Sequence, residues 1–141
     1  MEPRTTPPIG FLLNRTDAAL TRVMDGTLGE FGLTRVAWQV LNTVGKEAGI
    51  ADAELLRILA DNADTPTLTA AVETTLTGGW ATRPAPGRLA LTPDGTARLA
   101  EVTEHVRAFR ARSVEGITPE EYGTAVRVLE RMIENLGGPG A

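Results

Sequence analysis

Apolar residues recur at three- and four-residue steps from Ile9 through Leu12, Leu13, Leu20 and Val23 to Leu28, with Thr16 and Thr27 in the same stripe. That spacing places them on one face of a helix of about five turns. Pro8 suits the first turn, where its missing N–H is not needed, and Gly29 and Gly32 end the run. Before it, residues 1–7 read as a loose arm. Thr34 is the N-cap candidate of a second helix, whose stripe is Val36, Ala37, Val40, Leu41 and Val44, with Gly45 and Gly49 bracketing its end. A third helix is predicted from Asp52 to Leu59, with Leu55, Leu56 and Leu59 facing inward. Thr65-Pro66 reads as an N-cap and first helical position, opening a fourth helix that runs to Thr77 and stops at Gly78-Gly79.

The period then changes. Residues 80–83 and 88–91 read as two strands joined by the turn Pro84-Ala85-Pro86-Gly87. Thr92-Pro93 starts a long helix to Ser113 with the seam Leu99, Val102, Val106 and Phe109. Thr118-Pro119-Glu120-Glu121 is a capping box. The last helix carries Tyr122, Val126, Leu129, Ile133 and Leu136 and is stopped by Gly137-Gly138-Pro139-Gly140. The fold expected is mainly α with a small β-hairpin wing: a winged helix-turn-helix lobe over 33–92, flanked by long helices over 8–31 and 93–136. All of it is read as a single domain over 1–141. The flanking seams are too long for one small domain to bury, which points to a two-fold homodimer.

Composition narrows the function. The chain has 141 residues and a net charge of −4, so nothing like a global basic field is available to hold a polyanion. There is no cysteine, which removes thiol chemistry and zinc–thiolate sites and suits the cytoplasm, where the protein is expected. No apolar run is long enough to cross a bilayer, so no membrane role is expected. The one histidine, His105, cannot build a metal site alone, with Glu101 its only i−4 companion. No Ser/His/Asp set, phosphate-binding glycine loop or HExxH is present. Neither an enzyme nor a cofactor is expected.

Four local patterns carry a resemblance. Gly32-Leu33-Thr34 followed by Trp38 and Leu41 looks like the "GLT…W..L" entry of the MarR family of regulators. Ala53-Glu54-Leu55 is similar to its "AEL", Gly79-Trp80-Ala81-Thr82-Arg83 to its "GLVxR", and Leu91-Thr92-Pro93-Asp94-Gly95 to its "LTxxG". Each is short, but their order and spacing agree from Gly10 to Leu136. The resemblance implies a homodimer that binds a palindromic double-stranded DNA operator, and a small aromatic or acidic effector.

The departures from that pattern fall where DNA would be read. From Asp61 through Thr82 there is no Lys or Arg, while Asp61, Asp64 and Glu73 are acidic. The remaining candidate readers are Thr65, Thr67, Thr69 and Thr74, whose hydroxyls can meet phosphate or base and whose methyls can touch thymine. They read equally well as a helix cap and a solvated face. The wing is short, with seven residues between Arg83 and Leu91, and has no aspartate ahead of Arg88. Arg88 is placed to enter a minor groove or simply to solubilise a turn. Arg83 is placed to contact DNA or to pair with a nearby carboxylate. Thr75 stands where leucine is usual, which suggests a local change of register toward Leu76. Trp38 reads as a core aromatic or a pocket floor, and Trp80 as packing under the hairpin. Arg107, Arg110 and Arg112 are expected to pair with acids of the last helix or to bind an acidic effector. Two functions follow: a DNA-binding transcriptional regulator, or a dimer of the same fold that has lost operator binding and serves as a protein-interaction or ligand-binding module.

Overall fold

The computed structural model describes residues 6–138. Most of the proposed N-terminal arm, residues 1–5, and the stop residues Pro139 and Gly140 lie outside them. In chain order the elements are α1 (Ile9–Gly29), α2 (Arg35–Lys46), β1 (Ile50–Ala51), α3 (Asp52–Ile58), α4 (Thr65–Thr77), β2 (Ala81–Thr82), β3 (Arg88–Leu91), α5 (Pro93–Ser113) and α6 (Pro119–Asn135). The chain forms two compact units divided after Arg107, with α5 crossing the boundary.

The first unit is built on the predicted stripes. Val40, Leu41 and Val44 of α2 are fully buried, together with Leu28 of α1, Leu55 of α3, Leu68 of α4 and Leu89 of β3. This is an aliphatic core, as a chain with 4% aromatic residues requires. At α2 the cap is as expected: the Thr34 hydroxyl accepts the Ala37 N–H at 3.1 Å. α1 begins one residue later than the sequence suggests, because Pro8 is its N-cap (ψ 139°) and its carbonyl accepts the first helical N–H bonds.

β1 has no counterpart in the sequence reading. It pairs antiparallel with β3, Ile50 opposite Leu89 and Ala51 opposite Arg88, while β2 pairs on β3's other edge, Ala81 opposite Leu91. The sheet order is therefore β1-β3-β2. Two residues are too few to show a period of two, so no pattern could announce β1. It is fixed by pairing: the Gly49 N–H donates to the Leu89 carbonyl at 2.9 Å, and the Asp52 N–H to the Gly87 carbonyl at 3.0 Å. Ile50 and Leu89 are both fully buried, a cross-strand apolar pair that seals the register.

The base of the wing is clasped by the start of α5. The Thr92 N–H donates to the Trp80 carbonyl at 3.0 Å, and the Thr92 hydroxyl donates to the Gly79 carbonyl at 2.7 Å while accepting the Gly95 N–H at 2.8 Å. Trp80 is buried beneath, as expected, with the Arg98 guanidinium 3.8 Å from its ring centroid. Such stacking is favourable by about 1 kcal/mol.

In the second unit, α6 has the predicted capping box: the Thr118 hydroxyl accepts the Glu121 N–H at 3.1 Å and the Glu121 carboxylate accepts the Thr118 N–H at 2.9 Å. These bonds, the backbone one first, hold the Glu121 carboxyl below its ordinary value. Among the described residues of α6 none is buried, and Tyr122, Val126, Ile133 and Leu136 are exposed.

Candidate nucleic-acid interface

The helix-turn-helix is α3 and α4, joined by a tight turn in which the Asn62 N–H donates to the Leu59 carbonyl at 2.9 Å. The N-cap of α4 is Asp64, not Thr65. The Thr67 N–H donates to the Asp64 carboxylate at 2.9 Å, and Thr65 and Pro66 are the first two helical residues. Aspartate and threonine both cap well, so sequence preference could not choose between adjacent candidates. The Thr67 hydroxyl, first, and its backbone N–H hold the Asp64 carboxyl below its ordinary value of 3.8.

The N-terminus of a helix presents free N–H groups that attract anions. At α4 the Asp64 carboxylate already accepts one of them, that of Thr67. Its lowered pKa also makes a pH prediction. The stabilisation is complete above the unfolded value and is lost as pH falls through the lower folded value. Replacing Asp64→Asn keeps a capping oxygen but removes the titration. In thermal melts between neutral pH and about pH 2, the wild type should lose more stability than this variant, and the gap should open only below about pH 4. Parallel acid curves would contradict this.

Along α4 the buried stripe is Leu68, Ala71, Val72 and Thr75. Thr75 is 1% exposed, and its hydroxyl donates to the Val72 carbonyl at 2.7 Å. The expected change of register therefore does not occur. The helix is continuous, and threonine takes a buried position because its own backbone satisfies its hydroxyl. The opposite ridge carries Pro66, Ala70, Glu73 and Thr77, all exposed. Thr69 lies on one flank of that ridge, and Thr67 and Thr74 on the other. The Thr74 hydroxyl donates to the Ala70 carbonyl at 3.0 Å, leaving its lone pairs outward. Thr65, Thr67, Thr69 and Thr74 are thus all exposed on α4, but two of the four hydroxyl protons are engaged within the helix.

The wing arginines are exposed and tied down. Arg83 Nη1 bridges both Asp52 carboxylate oxygens at 3.0 Å and also reaches the Arg88 carbonyl at 3.4 Å. Arg88 Nη1 donates to the Gly49 carbonyl at 3.3 Å. Arg88 is not at the hairpin tip; it is the first residue of β3, opposite β1, while Gly87 makes the turn with φ +71°. The Arg83–Asp52 pair is a third or more exposed on both sides, so it holds the wing on α3 only weakly and is open to exchange. Ala51 caps α3 without a side-chain bond, and Asp52 is pulled toward Arg83.

Other cations are also engaged. Arg35 lies 3.7 Å from Asp25, and Arg57 Nε donates to Glu54 at 3.0 Å, which holds the Glu54 carboxyl below its ordinary value. Arg107 pairs with Glu104 on its own helix. His105 packs edge-on to Phe31, ring centroids 5.1 Å apart. No group of three or more His, Cys, Asp or Glu that could hold a metal is present among the described residues, and no described helix is long and apolar enough to cross a membrane.

No protein-family model matches this sequence, and a search of curated proteins finds no match. The solved structures are more informative. The reduced form of MarR from E. coli is 22% identical over 92% of this chain and 96% of its own, with a TM-score of 0.69. The Mycobacterium tuberculosis MarR family protein Rv2887, in complex with DNA, is 27% identical over 94% of this chain and 100% of its own, with a TM-score of 0.68. The chain has the MarR-family winged-helix fold. A Listeria innocua protein of unknown function shares it at a TM-score of 0.72, with 22% identity over 90% of this chain and 91% of that one. Asp64, Asp52 and Gly49 join the site without having been expected from the sequence. A carboxylate at an adjacent cap position was the only signal for the first. The other two are partners of the wing, brought to it by β1.

Proposed function

We propose that the protein is a dimeric, sequence-specific DNA-binding transcriptional regulator that responds to a small aromatic or acidic effector. The observation that carries the reading is a complete winged helix-turn-helix lobe whose recognition helix exposes a full face beside two accessible wing arginines. In this reading α4 lies in the major groove, Thr65, Thr67, Thr69 and Thr74 contact its walls and edges, and Arg83 and Arg88 meet the phosphates or the minor groove. The apolar residues exposed on α1 (Ile9, Leu12, Leu13 and Leu20) and on α6 support pairing with a second copy, which would present two lobes to a palindromic operator. The complexes of Rv2887 with DNA and with p-aminosalicylic acid support both ligand classes. The whole chain is then one functional domain acting in the cytoplasm.

A second reading, a dimer that no longer binds an operator and serves protein or ligand partners, is favoured by one observation. The recognition helix has no cation, and the wing arginines are bonded within the protein.

Titration against a pool of random duplexes at rising salt separates the two. With two wing arginines per subunit, a dimer engages about four phosphates, and log affinity should fall against log salt with a slope of about −4. Failure to bind DNA even at low salt would overturn the regulator reading and leave the second.

A further inference from the structure

The outward ridge of α4 carries one long side chain. Glu73 is exposed, and its ridge neighbours Pro66, Ala70 and Thr77 are all shorter. Among the described residues no ion pair or hydrogen bond engages the Glu73 carboxylate, and no Lys or Arg occurs from Asp61 to Thr82 to neutralise it. A carboxylate carried into a groove between phosphates is repelled unless it finds a donor there. The only donors on the major-groove edge are the amino groups of cytosine and adenine. Guanine offers two acceptors, and thymine an acceptor and a methyl. In adenine the N7 acceptor stands beside the amino group and faces the second carboxylate oxygen. In cytosine the neighbour is a C–H.

Resting on the regulator reading above, we infer that Glu73 is a specificity-determining residue that demands cytosine at one position of each operator half-site. The acidic charge then selects against other bases, in place of the attraction that a basic recognition helix would supply. The flanking Thr69 and Thr74 tolerate several bases at adjoining positions, so the strictest position in the half-site is the one under Glu73.

Selection of bound duplexes from a random pool, with the full chain, tests this. The wild type should enrich cytosine at one symmetric position pair, and substituting that base should weaken binding roughly tenfold or more. E73Q keeps the shape but adds a donor matched to adenine N6 and N7, so the enriched base should change from cytosine to adenine. E73A should lose the preference there while still binding the remaining positions, and more tightly overall. Because Glu73 is exposed and unbonded, both variants should melt with the wild type. If the wild type binds DNA but shows no cytosine position, or E73Q selects the same base as the wild type, the inference is overturned and the regulator reading stands. If the wild type binds no duplex, both fall.

Discussion

Replacing Gly95→Ala is expected to destabilise the protein by about 3 kcal/mol, although an exposed helical glycine replaced by alanine normally gains up to about 1 kcal/mol. A Cβ at Gly95 would stand 1.9 Å from the Trp80 carbonyl oxygen and 2.7 Å from its carbonyl carbon. Those atoms are backbone and cannot rotate away. They are also held in place, since the same carbonyl accepts the Thr92 N–H. Either α5 lifts off the Trp80 backbone or the wing base shifts, and the clasp between residues 79–80 and 92–95 is lost in both cases. Gly26→Ala in α1 is the control, because nothing lies within 4 Å of its added Cβ and its φ is not positive. It should raise the melting temperature slightly. Chemical denaturation of both variants decides the matter, and a stabilised Gly95→Ala protein would mean that Gly95 does not lie against the Trp80 backbone.

The double replacement Arg83→Ala/Arg88→Ala is expected to weaken DNA binding roughly a thousandfold at 0.1 M salt and to flatten the salt dependence to near zero. The contributions of separate phosphate contacts add. Each phosphate neutralised contributes about 0.9 decade of affinity per decade of salt, and a dimer would lose four such contacts. Few other cations can compensate: none lies on α4, and Arg35 and Arg57 are already beside carboxylates. Removing Arg83 also leaves Asp52 unneutralised at the wing, adding repulsion. The fold should survive, since an exposed pair such as Arg83–Asp52 contributes at most about 1 kcal/mol. Equal slopes for variant and wild type would move the phosphate contacts elsewhere on the surface.

These two positions differ in how they are written in the sequence. Gly95 stands in a short pattern, Leu91-Thr92-Pro93-Asp94-Gly95, that marks the end of the wing. The pattern flags the glycine, but its reason is a close approach between chain segments that only the folded backbone displays. Arg83 and Arg88 are visible as the cations of a short hairpin. Their tethering to Asp52 and to the Gly49 carbonyl depends on β1, which two residues could not announce. The acidic cap of α4 is a similar case. Asp64 and Thr65 are both good caps, and the geometry of one turn chose the earlier residue.

The elements legible in the residues alone are those whose signal is local and repeated. The long helices follow from apolar steps of three and four, the caps at Thr34 and Thr118 from hydrogen bonds spanning one turn, and the hairpin from its Pro/Gly turn. The absence of positive charge on α4 is equally a property of the sequence alone. Long-range packing sets which partner each polar side chain takes, completes a three-stranded sheet with β1, and puts Thr75 in the core. Those outcomes depend on residues tens of positions apart, such as Arg83 with Asp52 or Arg88 with Gly49, and a local period carries no information about contacts at that separation.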